Sequence, residues 1–277
     1  MCIDDCIESV KSVSLGLFGF ITHPISEEPS VVNLNIKDAT IKSNTLAEDD
    51  YSGILAGYAL NNDSDNKSIV FKNITVSGSI DTSSISGGMI GGLDKCSVEG
   101  CETNISIKNG YNNGGIIGIS SEKCIFNNCV SIGSIEGNWC LGGFVGYNDG
   151  GKIKNCLSKV NVESTVTTFE HKEGGFVGEH GIGNIASSHV TSSHDAIKAG
   201  GFSGEGSDGI TDSSFNKDVN PVLKCAGGDA PADIVVDALT ASILAQEKGV
   251  VLVNEKSDNS ILEGKDIVQI GGFDFEI

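Results

Sequence analysis

The 277 residues include 39% hydrophobic residues, enough for a continuous core in one large domain or two ordinary ones. The formal charge of −19 sets 37 acidic residues against 18 basic ones, and every basic residue is Lys. This acidic balance, with no Arg for bidentate phosphate contacts, argues against nucleic acid as a partner, and no apolar run approaches the roughly 18 residues of a membrane-spanning helix.

Residues 1–14 place Cys2, Cys6, Ile7, Val10 and Val13 three or four apart, the spacing of a short amphipathic helix. They lack the basic and apolar regions of a secretory signal. The expectation is therefore either a cytoplasmic protein or a piece of a longer exported chain.

From residue 15 a four-residue word recurs. It reads Gly16-Leu17-Phe18-Gly19, Gly53-Ile54-Leu55-Ala56, Gly88-Met89-Ile90-Gly91, Gly115-Ile116-Ile117-Gly118, Gly143-Phe144-Val145-Gly146, Gly175-Phe176-Val177-Gly178 and Gly201-Phe202-Ser203-Gly204. The first residues are 37, 35, 27, 28, 32 and 26 positions apart. A period in this range marks a solenoid, whose units bury their apolar faces only against one another.

Each unit reads as three short strands. In the unit at 143 these are the Gly word itself, residues 152–157 and residues 159–163. Alternation in Val160 and Val162, and in Ile105 and Ile107, marks half-buried strands. Asn109-Gly110 and Asn148-Asp149-Gly150-Gly151 are turns. Three strands and three turns per coil predict an all-β, right-handed parallel β-helix of about seven repeats over 15–219. The helix over 1–14 is expected to cover its first coil.

Aligning the units puts Cys101, Cys129 and Cys156 in one column with Leu34, Ile74, His189 and Phe215, and Cys96 with Cys124 in another. Columns of that composition face inward, and strands stacked about 4.8 Å apart hold Cβ atoms too far apart for a disulfide, so the thiols are expected to be reduced. Asn33, Asn73, Asn128 and Asn155, with Gly100, Ser188 and Ser214, precede that column. They would form an amide ladder, supply turn dihedrals, or do both.

After about residue 220 the repeat ends. Residues 232–248 suit an amphipathic helix, and 250–253 and 267–270 suit strands. The expectation is an α+β cap over 220–277.

The Gly-Leu-Phe-Gly, Gly-Met-Ile-Gly and Gly-Phe-Val-Gly words resemble the GLUG motif of large bacterial surface proteins, among them some immunoglobulin-A-cleaving peptidases and adhesin-like chains. The closing Gly271-Gly272-Phe273-Asp274-Phe275-Glu276-Ile277 looks like the segment that often ends such arrays. Ala56 and Ser203 depart from the pattern. The resemblance covers roughly residues 15–277. It implies an exported, non-catalytic surface or stalk module and supplies no catalytic residues.

One column carries candidate binding residues. Asp49, Ser84, Tyr111, Trp139, His171 and Ile197 stand four residues before successive words, which stacks Tyr111, Trp139 and His171. Such rings would bind a glycan or a partner protein, or simply cover a corner of the solenoid. His171, His180, His189 and His194 fall in different columns, so no metal site is expected, and no cofactor either. Asp149, Glu163, Glu173, Glu179 and Glu205 are scattered over turns, which disfavours the paired acids of a glycosidase. The reading is a structural or adhesive module, secreted or on a cell surface. A β-helix glycan lyase or hydrolase and an intracellular acidic binding protein are the alternatives.

Overall fold

A computed structural model describes residues 12–22, 30–61, 68–166, 171–191, 200–206, 208–211 and 213–215, together with the later strands Lys224–Ala226, Leu239–Leu244, Gly249–Asn254, Ile267–Ile270 and Phe273–Glu276. Seven strands form one parallel sheet in chain order: Ser30–Val32, Ile69–Lys72, Cys96–Glu99, Ile125–Asn127, Lys152–Lys154, Asn184–Ala186 and Ile210–Thr211. A nineteen-stranded sheet forms the remaining faces. The described body is a parallel β-helix, as the repeat predicts.

Registry places like residues above one another. Phe71, Val98, Phe126, Ile153, Ile185 and Ile210 align along the first sheet, and all are buried. Phe144, Phe176 and Phe202 continue the core, with ring centroids 4.8 Å apart at each step. This is the burial that no single coil achieves alone.

The coil differs in one respect from the expected three strands. Through the sixth coil the first half of the Gly word is not a strand; Gly143 and Phe144 make a bend between Val130–Gly142 and Val145–Asn148, whereas the seventh word lies within the strand Gly200–Glu205. Several coils have a further short strand leading into the bend, such as Tyr51–Gly53, Ile85–Gly87 or Lys172–Gly174, and in the fourth and fifth coils it is the end of Glu102–Gly114 and of Val130–Gly142. The glycines are needed for close backbone approach. A Cβ on Gly118 would lie 2.6 Å from Gly91 O, one on Gly146 2.6 Å from Gly118 O, and one on Gly178 2.7 Å from Gly146 O. The second glycine of each word thus rests on the second glycine of the coil before.

Three alignments are corrected by the backbone pairing. Gly53 pairs with Gly87 and Ala56 with Ile90, so the second unit's closing glycine is Gly57 and Ala56 is no departure. A Cβ on Gly91 meets Gly57 O at 2.6 Å, in line with that register. Leu157 pairs with His189, and His189 with Ser214, so the column of Cys101, Cys129 and Cys156 continues through Ser188 and Ser213, not His189 and Phe215. The residue before that column in the sixth coil is accordingly Ser187, not Ser188. The pairing sets the register in each case: Val145 pairs with Val177 and Leu157 with His189, both 32 residues apart, and Ala56 pairs with Ile90.

Asn33, Asn73, Asn128 and Asn155 have φ of 53–56°, and Gly100 and Ser187 share that conformation at 61° and 48°. The column is thus a row of left-handed bends, which Asn and Gly tolerate best. One ladder bond exists within it, Asn73 Nδ2 donating to Asn33 Oδ1 at 3.1 Å. Asn155 donates instead to Asn127 Oδ1 at 3.3 Å. Cys96, Cys101, Cys124, Cys129, Cys140 and Cys156 are free and buried.

The expected N-terminal helix lies outside the described residues up to Lys11, and Ser14–Leu15 is a strand paired with Tyr51 and Ser52. Within 232–248, Leu239–Leu244 is a strand antiparallel to Gly249–Asn254 where a helix is expected; the rest of that span lies outside the described residues. The strands expected over 250–253 and 267–270 are present. No helix of the described residues is long and apolar enough to cross a membrane.

Candidate functional site

Asn112, Cys140 and Lys172 are in register on the fourth, fifth and sixth coils, so the residues before them, Tyr111, Trp139 and His171, occupy one column as expected. All three are half-buried. The Tyr111 and Trp139 rings stack 5.5 Å apart and 5° from parallel. Parallel strands put equivalent residues at nearly the same height on each coil, and that spacing brings planar rings face to face. Each ring therefore covers one face of the other. Burial, then the Glu48 carboxylate, raise the Tyr111 phenol above its ordinary pKa.

The turns beside the rings are pinned. Asn109, at φ 64°, donates through Nδ2 to Asp81 Oδ1 at 2.8 Å. Thr165 Oγ1 reaches Asn138 Oδ1 at 2.5 Å and Gly137 O at 2.9 Å. The aromatic pair thus sits on a preorganised edge.

The rest of the column behaves differently. Ser84 is buried, within a hydroxyl cluster that includes Ser52 at 2.9 Å and Thr82 at 2.8 Å. In the second coil the position belongs to Asp50, not Asp49, because the word there is one residue later. Asp50 caps backbone amides, taking bonds from Val13 N at 2.5 Å and Ala47 N at 2.7 Å. Ile197 lies outside the described residues.

Two groupings escape a reading by column. Phe20 stacks on Tyr58 at 5.9 Å, and Tyr51 meets Tyr58 edge-on at 4.7 Å. Glu179 and Glu205 are in register on adjacent coils, and Lys172 bridges them at 2.8 and 3.1 Å. Burial lowers the Lys172 ammonium, but its bonds to Glu179 and Glu205 outweigh that and leave it above the usual lysine range. Cys140 donates to Glu179 Oε2 at 3.3 Å, and burial first, then the Glu179 charge, push its thiol well up. These two acids are therefore not scattered: register brings them together, and Lys172 bridges them from the neighbouring strand.

The histidines do not converge. His180 and His189 are buried on separate strands of the sixth coil, His171 stands in the aromatic column, and His194 lies outside the described residues. Among the described residues no three His, Cys, Asp or Glu side chains gather as metal ligands would.

The family model of the GLUG motif matches residues 137–163. That stretch is one winding of the solenoid: the end of Val130–Gly142, the Gly143-Phe144 bend, Val145–Asn148, Lys152–Lys154 and most of Leu157–Ser164. No curated protein matches the chain. The same winding recurs in register before and after the matched one, and the chain is accordingly a GLUG-repeat protein folded as a parallel β-helix.

Proposed function

We propose that this chain is a non-catalytic structural and adhesive module of a secreted or cell-surface protein, and that it holds a partner along the edge bearing Tyr111, Trp139 and His171. The observation that supports this is the Tyr111–Trp139 stack on pinned turns. A pyranose stacks its C–H groups on an open ring face, and the stack covers one face of each of these rings. A protein segment is therefore favoured over a glycan as occupant. The test is a screen of protein and glycan arrays with the wild-type chain and Trp139→Ala. Binding that falls at least tenfold in the variant is expected, and equal binding by both overturns the reading.

One observation favours a second reading. Glu179 and Glu205 lie on adjacent coils beside Cys140, the neighbour of Trp139 in sequence, so a carboxylate pair does stand near the aromatic column. Glycan cleavage at that pair would need one acid kept protonated. Here Lys172 bridges the two carboxylates at 2.8 and 3.1 Å, so neither acid stands apart from the other. Release of reducing sugar from a polysaccharide panel, abolished by Glu179→Gln, would establish the enzyme and displace the adhesive reading.

A further inference from the structure

We infer that the sixth coil is an acid-sensitive clasp: protonation of His180 and His189 loosens the sixth and seventh coils while the earlier coils stay closed. The first ground is placement. Among the described residues every histidine lies on the sixth coil, and two of the three are buried inside it.

The second ground is the hydrogen-bond chain around His180, which fixes a neutral ring. Asn148 Oδ1 accepts from Ser120 Oγ at 2.6 Å and from Gly151 N at 3.1 Å. That leaves Asn148 Nδ2 facing His180 Nδ1 at 3.0 Å, so Nδ1 must accept and Nε2 must carry the proton. Nε2 then donates to Asp208 O at 3.0 Å, on the seventh coil. The chain ties four successive coils. A second ring proton at Nδ1 would point at the Asn148 amide donor, and Asn148 cannot turn over without losing both bonds to its oxygen.

The titratable groups on neighbouring elements are Tyr147 and Asp149 on the coil before, Glu179 beside it, and Glu205 and Asp208 on the coil after. Burial depresses His180, outweighing the opposing carbonyl and carboxylate of Asp208. His189 is held between Leu157 and Ser214 by register, with Lys159 two residues beyond Leu157 and Glu173 buried on the strand entering the same coil. Burial brings His189 down to about 4. Both rings are thus neutral when the coil is closed, and both gain protons when it opens. Closure is favoured above the ordinary histidine value near 6.5 and weakens as pH falls from there toward 4.

The test is hydrogen exchange of the full chain, resolved by segment and corrected for intrinsic rates, at pH 7.4 and pH 5.0, where exposed carboxylates remain mostly ionised. From its shift alone, protonation of His189 should raise the opening equilibrium about 30-fold. Val177–His180, His189–Val190 and Gly200–Glu205 should lose protection by at least that factor, while Ile90–Asp94 and Ile117–Ser120 keep theirs. His180→Gln with His189→Leu, the latter copying Leu157 in its column, should remove the acid response. An equal loss in all coils, or an undiminished loss in the double variant, overturns the inference. The wild-type comparison decides the matter even if the variant fails to fold.

Discussion

The ring of Phe144 lies over that of Phe176 with centroids 4.8 Å apart and 6° between planes, and Phe202 extends the stack by another 4.8 Å. Phe176 is fully buried between two other aromatic rings, so its removal leaves a cavity that neither neighbour can fill without losing its own stacking. Phe176→Ala should cost about 3–5 kcal/mol in urea unfolding, and Phe176→Leu clearly less. A loss for Phe176→Ala below about 1 kcal/mol would mean that the stack contributes little.

The glycines divide into two kinds that a melting curve can separate. A methyl group on Gly118 would press on Gly91 O at 2.6 Å, and backbone atoms cannot retreat without breaking the ladder. On Gly181 it would find nothing nearer than 3.4 Å. Gly118→Ala should prevent folding or lower the midpoint by about 5 °C or more, on the order of 2 kcal/mol or more, whereas Gly181→Ala should leave it nearly unchanged. Similar melting of both variants would refute the close-approach role.

That contrast shows what the letters reveal. Gly and Asn announce themselves because the backbone requires them: Gly118 by contact, Asn128 by a φ of 56°. Where successive words are 27 and 28 residues apart, as from Gly91 through Gly118 to Gly146, the columns are legible and the Tyr111–Trp139 neighbourhood follows. Longer spacing hides the register. In the second unit a count from Gly53 falls one residue short, and only the pairing of Ala56 with Ile90 locates the word. The Lys172 bridge is illegible for a further reason. It depends on the inward turn at the Gly bend, which sets Cys140 and Lys172 facing Glu179 and Glu205, a relation across two strands that no column alignment contains.

At the Asn bends, the side chain matters less than the dihedral. Asn128→Gly should be close to neutral, since Gly100 already serves at that position, whereas Asn128→Ala should cost about 1–2 kcal/mol. Guanidinium unfolding of the two variants gives the comparison. Equal stability would show that the left-handed bend is not under strain.

The buried thiols should be unreactive while the fold is intact. Burial lifts Cys124 to about 11 and raises Cys129 well above its usual value, so little thiolate is present at neutral pH. Alkylation mapped by mass spectrometry should leave Cys96, Cys101, Cys124, Cys129 and Cys156 unmodified until denaturant is added. Rapid native labelling of Cys129 would contradict the packing of its column.

The direction of the sheet bonds has a mechanical consequence. In the seven-stranded sheet every strand runs across the rod, so the hydrogen bonds between coils point along its length. Tension applied end to end opens the bonds of one coil boundary and then the next, like a zipper, and never strains a whole sheet at once. A tether meant to hold under load would therefore need its attachment points on the side of the coil stack, where the pull shears the strands instead of peeling one coil from the next.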